Sequence, residues 1–327
     1  MPTRQDVASK AGVSGATVSR VYNSPGLVDA ATRERVRAAA AALGFVPDRH
    51  AAALRRKTST TLLLVEIEDS EAYRWPGQRA YQSLYGEIIR GLVHHLQTTP
   101  WHLELVNLPS SRDLPSLVAG PEFAGILGFD VVTQAVADEL AKLGKPVVCA
   151  HHGDHLTGVS TVTTDNFAGG ALQARWLREQ GLVDVAYVTG LSDQVRSHSL
   201  RQQGFASVLQ PLELLATGVG LLEGRQAARS LAPLVKTGRV RAAACVNDLT
   251  ALGLIQGLAS LGLQVPRDVV VLGYDNLVVT DLFETRLPTI EARLPLVYEQ
   301  ALDVLIGLVQ HPGGETHLAV IPELAGV

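Results

Sequence analysis

Thr3-Arg4-Gln5-Asp6-Val7-Ala8-Ser9-Lys10-Ala11-Gly12-Val13-Ser14-Gly15-Ala16-Thr17-Val18-Ser19-Arg20-Val21-Tyr22-Asn23 is the stretch that decides how the chain begins. Thr3 followed by Asp6 has the pattern of a helix N-cap with an acid in the first turn, and predicts a helix to about Lys10. Ala11-Gly12-Val13 then turns tightly, because Gly12 takes positive φ without a side-chain penalty. Ser14 caps a second helix from Gly15 to about Tyr22. In it Val18, Val21 and Tyr22 fall at i, i+3 and i+4 and are expected to pack inward, leaving Gly15, Ala16, Ser19 and Arg20 outside. A third helix is expected from Ala30 to Leu43, capped by Asp29 and stopped by Gly44. Two short helices joined by a glycine turn and braced by a third make a helix-turn-helix unit. A three-helix protein-interaction module is the other reading of the same pattern.

Charge bears on these readings without settling them, since charged surface helices can also segregate by accident. The 327 residues carry a net charge of −4, yet residues 1–60 hold ten Lys/Arg against four Asp/Glu, so a +6 head sits on a −10 body. That is the layout expected when only the head meets polyphosphate. Hydrophobic residues at 46% and charged residues at 18% suit a globular chain of a small domain plus one large or two medium ones. The sequence has no long apolar run and no N-terminal apolar core, so neither a membrane span nor a secretory signal is expected. Cys149 and Cys245 each end a short apolar run and read as buried thiols in a reducing cytoplasm, not as a disulfide framework.

A helix entering a DNA major groove about 12 Å wide needs small leading side chains and at least one that reaches a base edge. Gly15 and Ala16 permit close approach, and Arg20 has the fork that reads guanine O6 and N7. Thr3, Ser14, Thr17, Ser19 and Asn23, with backbone N–H groups at the helix starts, suit phosphates, which position without specifying. The expected partner is double-stranded DNA.

The ordered set Asp6-Val7-Ala8, Ala11-Gly12-Val13-Ser14, Thr17-Val18-Ser19-Arg20-Val21 and Asn23 resembles the signature of the lactose- and galactose-repressor (LacI/GalR) family. Val28, Thr32-Arg33-Glu34-Arg35-Val36, Ala39 and Leu43-Gly44-Phe45-x-Pro47 continue it. Tyr22 departs from the branched aliphatic residue usual there. The resemblance implies domains at 1–46 (helix-turn-helix), 47–59 (hinge) and 60–327 (effector binding and dimerisation). The hinge, Asp48 to Lys57, is too short to be a stable helix alone. The resemblance implies that it orders on operator DNA, with Leu54 as a wedge in the minor groove and Ala51 allowing close approach. An ordinary linker with Leu54 tucked against the body is the alternative.

From Thr60 onward short apolar runs alternate with amphipathic stretches. Strands are expected at 62–67, 103–107, 125–129, 146–150, 185–189, 242–246 and 269–273. Helices are expected near 85–97, 134–143, 169–179, 197–209, 225–236, 250–261 and 294–309. Alternation of this kind implies parallel sheets covered by helices, with ligands at the carboxyl ends of the strands. Asp165-Asn166-x-x-Gly169-Gly170, Arg201-x-x-Gly204-Phe205, Val246-Asn247-Asp248, Val271-x-Gly273-Tyr274-Asp275 and Leu287-Pro288-Thr289-Ile290 extend the resemblance across nearly the whole chain. It implies an all-α helix-turn-helix head plus an α/β, two-lobed, periplasmic-binding-protein-like (type I) effector domain. One lobe would take roughly 60–162 plus 293–311, the other 163–290 plus the terminal strand.

By the same resemblance Arg201, Asp275 and Asn247 are the expected effector contacts, with Arg196 and Asp165 behind them. A guanidinium, a carboxylate and an amide suit a ligand rich in hydroxyls or ring heteroatoms. Each also has a plainer role: Arg201 paired to an acid of its own lobe, Asp275 capping a turn, Asn247 holding backbone at a strand end. The stretch 68–81 is longer and more aromatic than the family leads one to expect. Trp75 or Tyr81 is placed to stack on a ligand at the cleft rim, or to pin a surface loop. His151-His152-x-Asp154-His155 packs metal-capable groups too consecutively for a zinc site. Gly218-x-Gly220-x-x-x-Gly224 misses the dinucleotide spacing by one residue. With no nucleophile, base or cofactor motif, an enzyme is not expected, and neither is a cofactor. The expected protein is a repressor acting as a homodimer on a near-palindromic operator under control of a small sugar-like molecule. The alternative is a regulator whose purine-like or phosphorylated ligand strengthens operator binding. The chain's end soon after Ile321-Pro322-x-Leu324 leaves no tetramerising tail, which favours the dimer.

Overall fold

A computed structural model of the chain describes residues 2–23, 28–45, 59–67, 82–131, 133–152, 156–190, 195–278, 280 and 287–326. They divide into two compact units, Met1–Ser59 and Thr60–Val327.

In the first unit helix α1 is Arg4–Ala11, α2 Gly15–Asn23 and α3 Ala30–Leu43. Thr3 closes a reciprocal capping box with Asp6. Gly12 and Gly44 end α1 and α3 in the left-handed conformation, at φ 65° and 63°. Ser14 Oγ accepts from Thr17 N at 3.0 Å, and Asp29 Oδ1 from Thr32 N at 2.8 Å. Val7, Ala8, Val18, Val21, Val36, Ala39 and Ala40 make the core. Tyr22 does not join it. It is 37% exposed, because Val18 and Val21 already fill the inward stripe and the next residue is turned about 100° onto the flank.

The second unit is a pair of α/β lobes. Strands β1 Thr61–Ile67, β2 His102–Leu108, β3 Gly125–Gly128, β4 Val147–His151, β5 Ser160–Thr164 and β11 His317–Val320 form one parallel sheet in the order β11-β5-β4-β3-β1-β2. Helices α4 Gln82–Leu96, α5 Pro115–Ala119, α6 Gln134–Ala141 and α11 Leu294–Gln310 belong to this lobe. Its cores lie on the two faces of the sheet. One gathers Leu62, Leu64, Ile88, Leu92 and Val148 with α11, and the other Leu63, Val65, Ile126, Leu140 and Cys149 with α6. The second sheet is also parallel, in the order β7 Glu213–Ala216, β6 Val185–Thr189, β8 Ala242–Cys245, β9 Val270–Leu272. Helices α7 Asn166–Glu179, α8 Arg196–Val208, α9 Leu221–Lys236 and α10 Asp248–Ser260 flank it. β10 Thr289–Glu291 and β12 Glu323–Ala325 pair antiparallel. The terminal segment is thus split, with β11 in the first sheet and β12 on β10.

Three chain crossings join the lobes and are bonded to one another. Thr164 Oγ1 donates to Ala292 O at 2.7 Å and Asp165 N to Val320 O at 2.8 Å, while Arg293 pairs with Glu323 at 2.6 Å. Helices α7 and α8 touch through glycines. A methyl group at Gly170 would land on the Arg201 carbonyl oxygen, and one at Gly204 on that of Phe167. No described helix is long and apolar enough to cross a membrane. Both cysteines are free and buried, and burial pushes the Cys149 thiol up to about 12, so neither is a ready nucleophile.

Gly204→Ala is expected to lower stability by about 1–3 kcal/mol, since the clash is with backbone. Gly307→Ala, in open space within α11, is expected to raise it by about 0.5–1 kcal/mol. Urea unfolding of both variants tests this; equal effects would contradict the close helix contact.

Candidate functional site

On the head, the outward side of α2 carries Ala16 and Arg20, both exposed, with Gly15, Thr17 and Ser19 half-buried beside them. Gly15 leaves room for α1, since a Cβ there would stand 3.1 Å from Gln5 Oε1. The hydroxyls of Ser14 and Thr17 bond one another at 2.9 Å, fixing the start of the helix, and Thr3 Oγ1 donates to Asp6 Oδ2 at 2.7 Å. One rigid helix therefore presents one guanidinium on a small-residue face. Ala51 and Leu54 lie outside the described residues, as do Trp75 and Tyr81 and the side chain of Asn23.

In the body, Arg201, Asn247 and Asp275 come together although 74 residues separate the first from the last. Arg201 is 3% exposed. Its Nε donates to Asn166 Oδ1 and its Nη1 to Val246 O, both at 2.8 Å. Asp275 Oδ1 stands 3.2 Å from Nη1, and the guanidinium lies over the Tyr274 ring, 3.7 Å from its centre. Asn247 follows β8 and caps α10, its Oδ1 accepting from Thr250 N at 2.9 Å. Asp275 follows β9 at φ 110°, a left-handed backbone that few side chains adopt, and its N–H donates to Ile290 O at 2.7 Å. The plainer roles are therefore filled: Arg201 is paired within its lobe and Asn247 is a cap. Asp165 likewise caps α7 through Ala168 N at 2.8 Å, at a crossing between lobes. Arg196 opens α8 at the surface.

Sequence reasoning missed Asp248, which ties this wall together. Its Oδ1 accepts from Thr289 Oγ1 at 2.6 Å and its Oδ2 from Leu277 N at 2.8 Å, and its own N–H donates to Tyr274 O at 2.7 Å. Burial and the nearby Asp275 charge push its carboxyl up to about 8 against those hydrogen bonds. Sequence reasoning also missed Asp130. It follows β3 and accepts from Tyr85 Oη at 3.1 Å and Tyr298 Oη at 3.1 Å, and lies 2.7 Å from His151 Nδ1. Burial alone would raise this carboxyl, but the charge and hydrogen bond of His151, with His152 and Tyr85, hold it well below the usual range. The His151 and His152 rings lie side by side, centres 3.7 Å apart. His152 Nδ1 is 3.3 Å from Ser197 Oγ, a bond from the first lobe to the second. Burial depresses His152 and His198, the latter to about 3, so both rings are neutral. The strand ends of the two sheets thus face each other with carboxylates, imidazoles, an amide and a paired guanidinium. Such groups bind a polar molecule through several directed hydrogen bonds.

A helix-turn-helix head followed by two parallel α/β lobes that face each other at their strand ends is the build of a DNA-binding regulator with a small-molecule chamber. Residues 3–48 match the family model of bacterial regulatory proteins, lacI family, and residues 174–325 that of the periplasmic binding protein-like domain. The chain thus carries a lacI-family helix-turn-helix domain and a periplasmic binding protein-like domain, and its homologues are LacI- and PurR-type repressors. The HTH-type transcriptional repressor PurR of Vibrio vulnificus is 27% identical over 320 residues, covering 94% of this chain and 91% of that protein. PurR of Histophilus somni is 26% identical over 99% of this chain and 97% of its own. Among solved structures, the transcriptional regulator CelR–cellobiose complex is 25% identical with TM-score 0.67, covering 99% of this chain and 98% of that one. The lac repressor dimer bound to operator and the anti-inducer ONPF is 23% identical with TM-score 0.72, over 99% and 97%. These relatives are regulators, and no catalytic family is indicated.

Two outcomes follow. Asp275→Asn leaves Arg201 buried without its anion and is expected to cost about 3 kcal/mol or more in urea unfolding; a neutral variant would contradict the pairing. Asp248 holds a proton in the folded state that the unfolded chain releases near its ordinary pKa of 3.8. Its contribution to stability therefore falls as pH rises toward 8. Asp248→Asn is expected to gain on the parent by up to about 1.4 kcal/mol per pH unit across that window. A pH-independent difference would show Asp248 ionised throughout.

Proposed function

We propose that this repressor binds a near-palindromic operator as a homodimer and that a sugar or sugar derivative held between the lobes lowers its DNA affinity. The observation that carries this reading is the facing of Asp130, His151 and His152 against Arg201, Asn247 and Asp275 at the strand ends. Carboxylate acceptors stand there with imidazole, amide and guanidinium groups, the mixture that hydroxyl-rich ligands require. Support comes from the cellobiose complex of CelR, the ONPF complex of the lac repressor and the ribose complex of a LacI family regulator from Enterococcus faecium. Symmetry is part of the reading because one short helix reads too few base pairs for genomic specificity. Arg20 reads one base pair per half-site. The segment 47–59 acts as the hinge, with Leu54 and Ala51 at the minor groove. A second reading, favoured by 26–27% identity to PurR repressors, has a purine-like ligand that strengthens operator binding.

By linkage, a ligand that lowers operator affinity binds the DNA-bound form more weakly by the same factor. Fluorescence anisotropy on operator duplex, with panels of sugars and of purine bases, separates the readings. A sugar that weakens binding supports the first, and a purine that strengthens it establishes the second in its place. Arg20→Ala is expected to lose about 1–3 kcal/mol and the preference at one base pair per half-site. Leu54→Ala is expected to weaken operator binding far more than binding to unrelated DNA. Unchanged base preference in the first variant, or equal losses in the second, would remove those roles.

A further inference from the structure

Asp130 lies two residues past β3 and His151 is the last residue of β4, neighbouring parallel strands in which Gly128 lies in register with Cys149. Twenty-one residues of sequence are thereby folded into contact, and the spacing that two consecutive histidines lack is supplied by the adjoining strand. Ligand-capable atoms of Asp130, His151 and His152 all lie within 4.8 Å of one another. Asp130 and His151 both turn out of their strands in the left-handed region, at φ 50° and 79°. Side chains rarely hold that backbone unless the surroundings enforce it.

We propose that Asp130, His151 and His152 bind one divalent transition-metal ion of the zinc or nickel type on the first lobe's wall of the cleft. Two imidazoles and one carboxylate are the donors such ions select. Magnesium and calcium, which take all-oxygen shells, are disfavoured. His151 Nδ1 and Asp130 Oδ1 stand 2.7 Å apart with a proton between them. With bonds of about 2.0–2.1 Å, tetrahedral coordination needs those atoms at about 3.3 Å, so a small opening lets the ion replace that proton. Ser197 Oγ beside His152 Nδ1 steers that ring and leaves its other nitrogen for the ion. The Tyr85 and Tyr298 hydroxyls hold the carboxylate in place, as outer partners of a metal ligand do. Three protein ligands leave a coordination position open toward the cleft. The three ligands all belong to the first lobe, and binding of the ion is measured without any effector present.

The test is calorimetric titration of chelator-treated full-length protein with Zn²⁺, Ni²⁺ and Mg²⁺. One Zn²⁺ or Ni²⁺ per chain at micromolar affinity or tighter, with no Mg²⁺ binding, is the expected result. His151→Gln and His152→Gln are each expected to weaken binding about tenfold or more, while His94→Ala, at an exposed position on α4, leaves it unchanged. Absence of binding, Mg²⁺ binding as tight as Zn²⁺, or loss in His94→Ala alone would overturn the proposal. The parent protein loaded with Co²⁺ gives a reading free of any variant's folding. Intense visible bands of a four-coordinate ion are expected, and the weak bands of a six-coordinate, water-rich ion would overturn the proposal.

Discussion

Burying a guanidinium is tolerable only when every neighbour is in place, and Arg201 sets that condition for the whole second lobe. Its partners come from three separate stretches of chain: Asn166 at the start of α7, Val246 after β8, and Tyr274 with Asp275 after β9. The Asn166 contact forms only where α7 and α8 approach closely enough for Gly170 to lie on the Arg201 backbone. The charge is therefore a lock on tertiary structure more than a source of net stability. Because Tyr274 and Asp275 lie beside the Thr289–Glu291 strand, the same lock reaches the crossings that join the lobes.

That placement connects structure to regulation. A molecule entering between the lobes meets a second-lobe wall held rigid by Arg201 and Asp248, and a first-lobe wall built on Asp130, His151 and the two tyrosines. The hydrogen bond from His152 to Ser197 already spans the gap. Under the proposed function, ligand groups that replace or reinforce it bias how the lobes sit, and the three crossings are bonded to one another. A ligand shifts such an equilibrium only by its differential affinity for the two arrangements.

Much of this was legible in the sequence where a local rule applied. The capping box at Thr3, the glycine ends at Gly12 and Gly44, and the α3 limits follow from nearest-neighbour chemistry, and the structure repeats them. Apolar runs such as Val185–Thr189 announced buried parallel strands. The strand Ser160–Thr164 was not announced: it is fully buried yet four of its five residues carry hydroxyls, and those of Ser160, Thr161 and Thr164 bond to backbone or to His317. Thr289–Glu291 and Glu323–Ala325 are too short for any period to show. Tyr22 was misjudged because helical spacing marks a stripe but not its width. In the cleft, Arg201 and Asp275 were visible through a family pattern, whereas Asp130 ends an unremarkable Gly-Phe-Asp and gains its meaning only from the strand beside it. Asp248 stood next to Asn247 and was passed over, although it is the residue that binds the wall together.

The most direct test of a repressor whose α2 helix reads DNA is selection of random duplexes by the full-length protein at fixed, stated ionic strength. Enrichment of a two-fold symmetric site with a deformable central step is the predicted result, because it requires paired reading helices and a minor-groove hinge together. Recovery of no shared sequence, with retention that falls steeply with salt, would contradict it, since binding would then rest on phosphate charge alone.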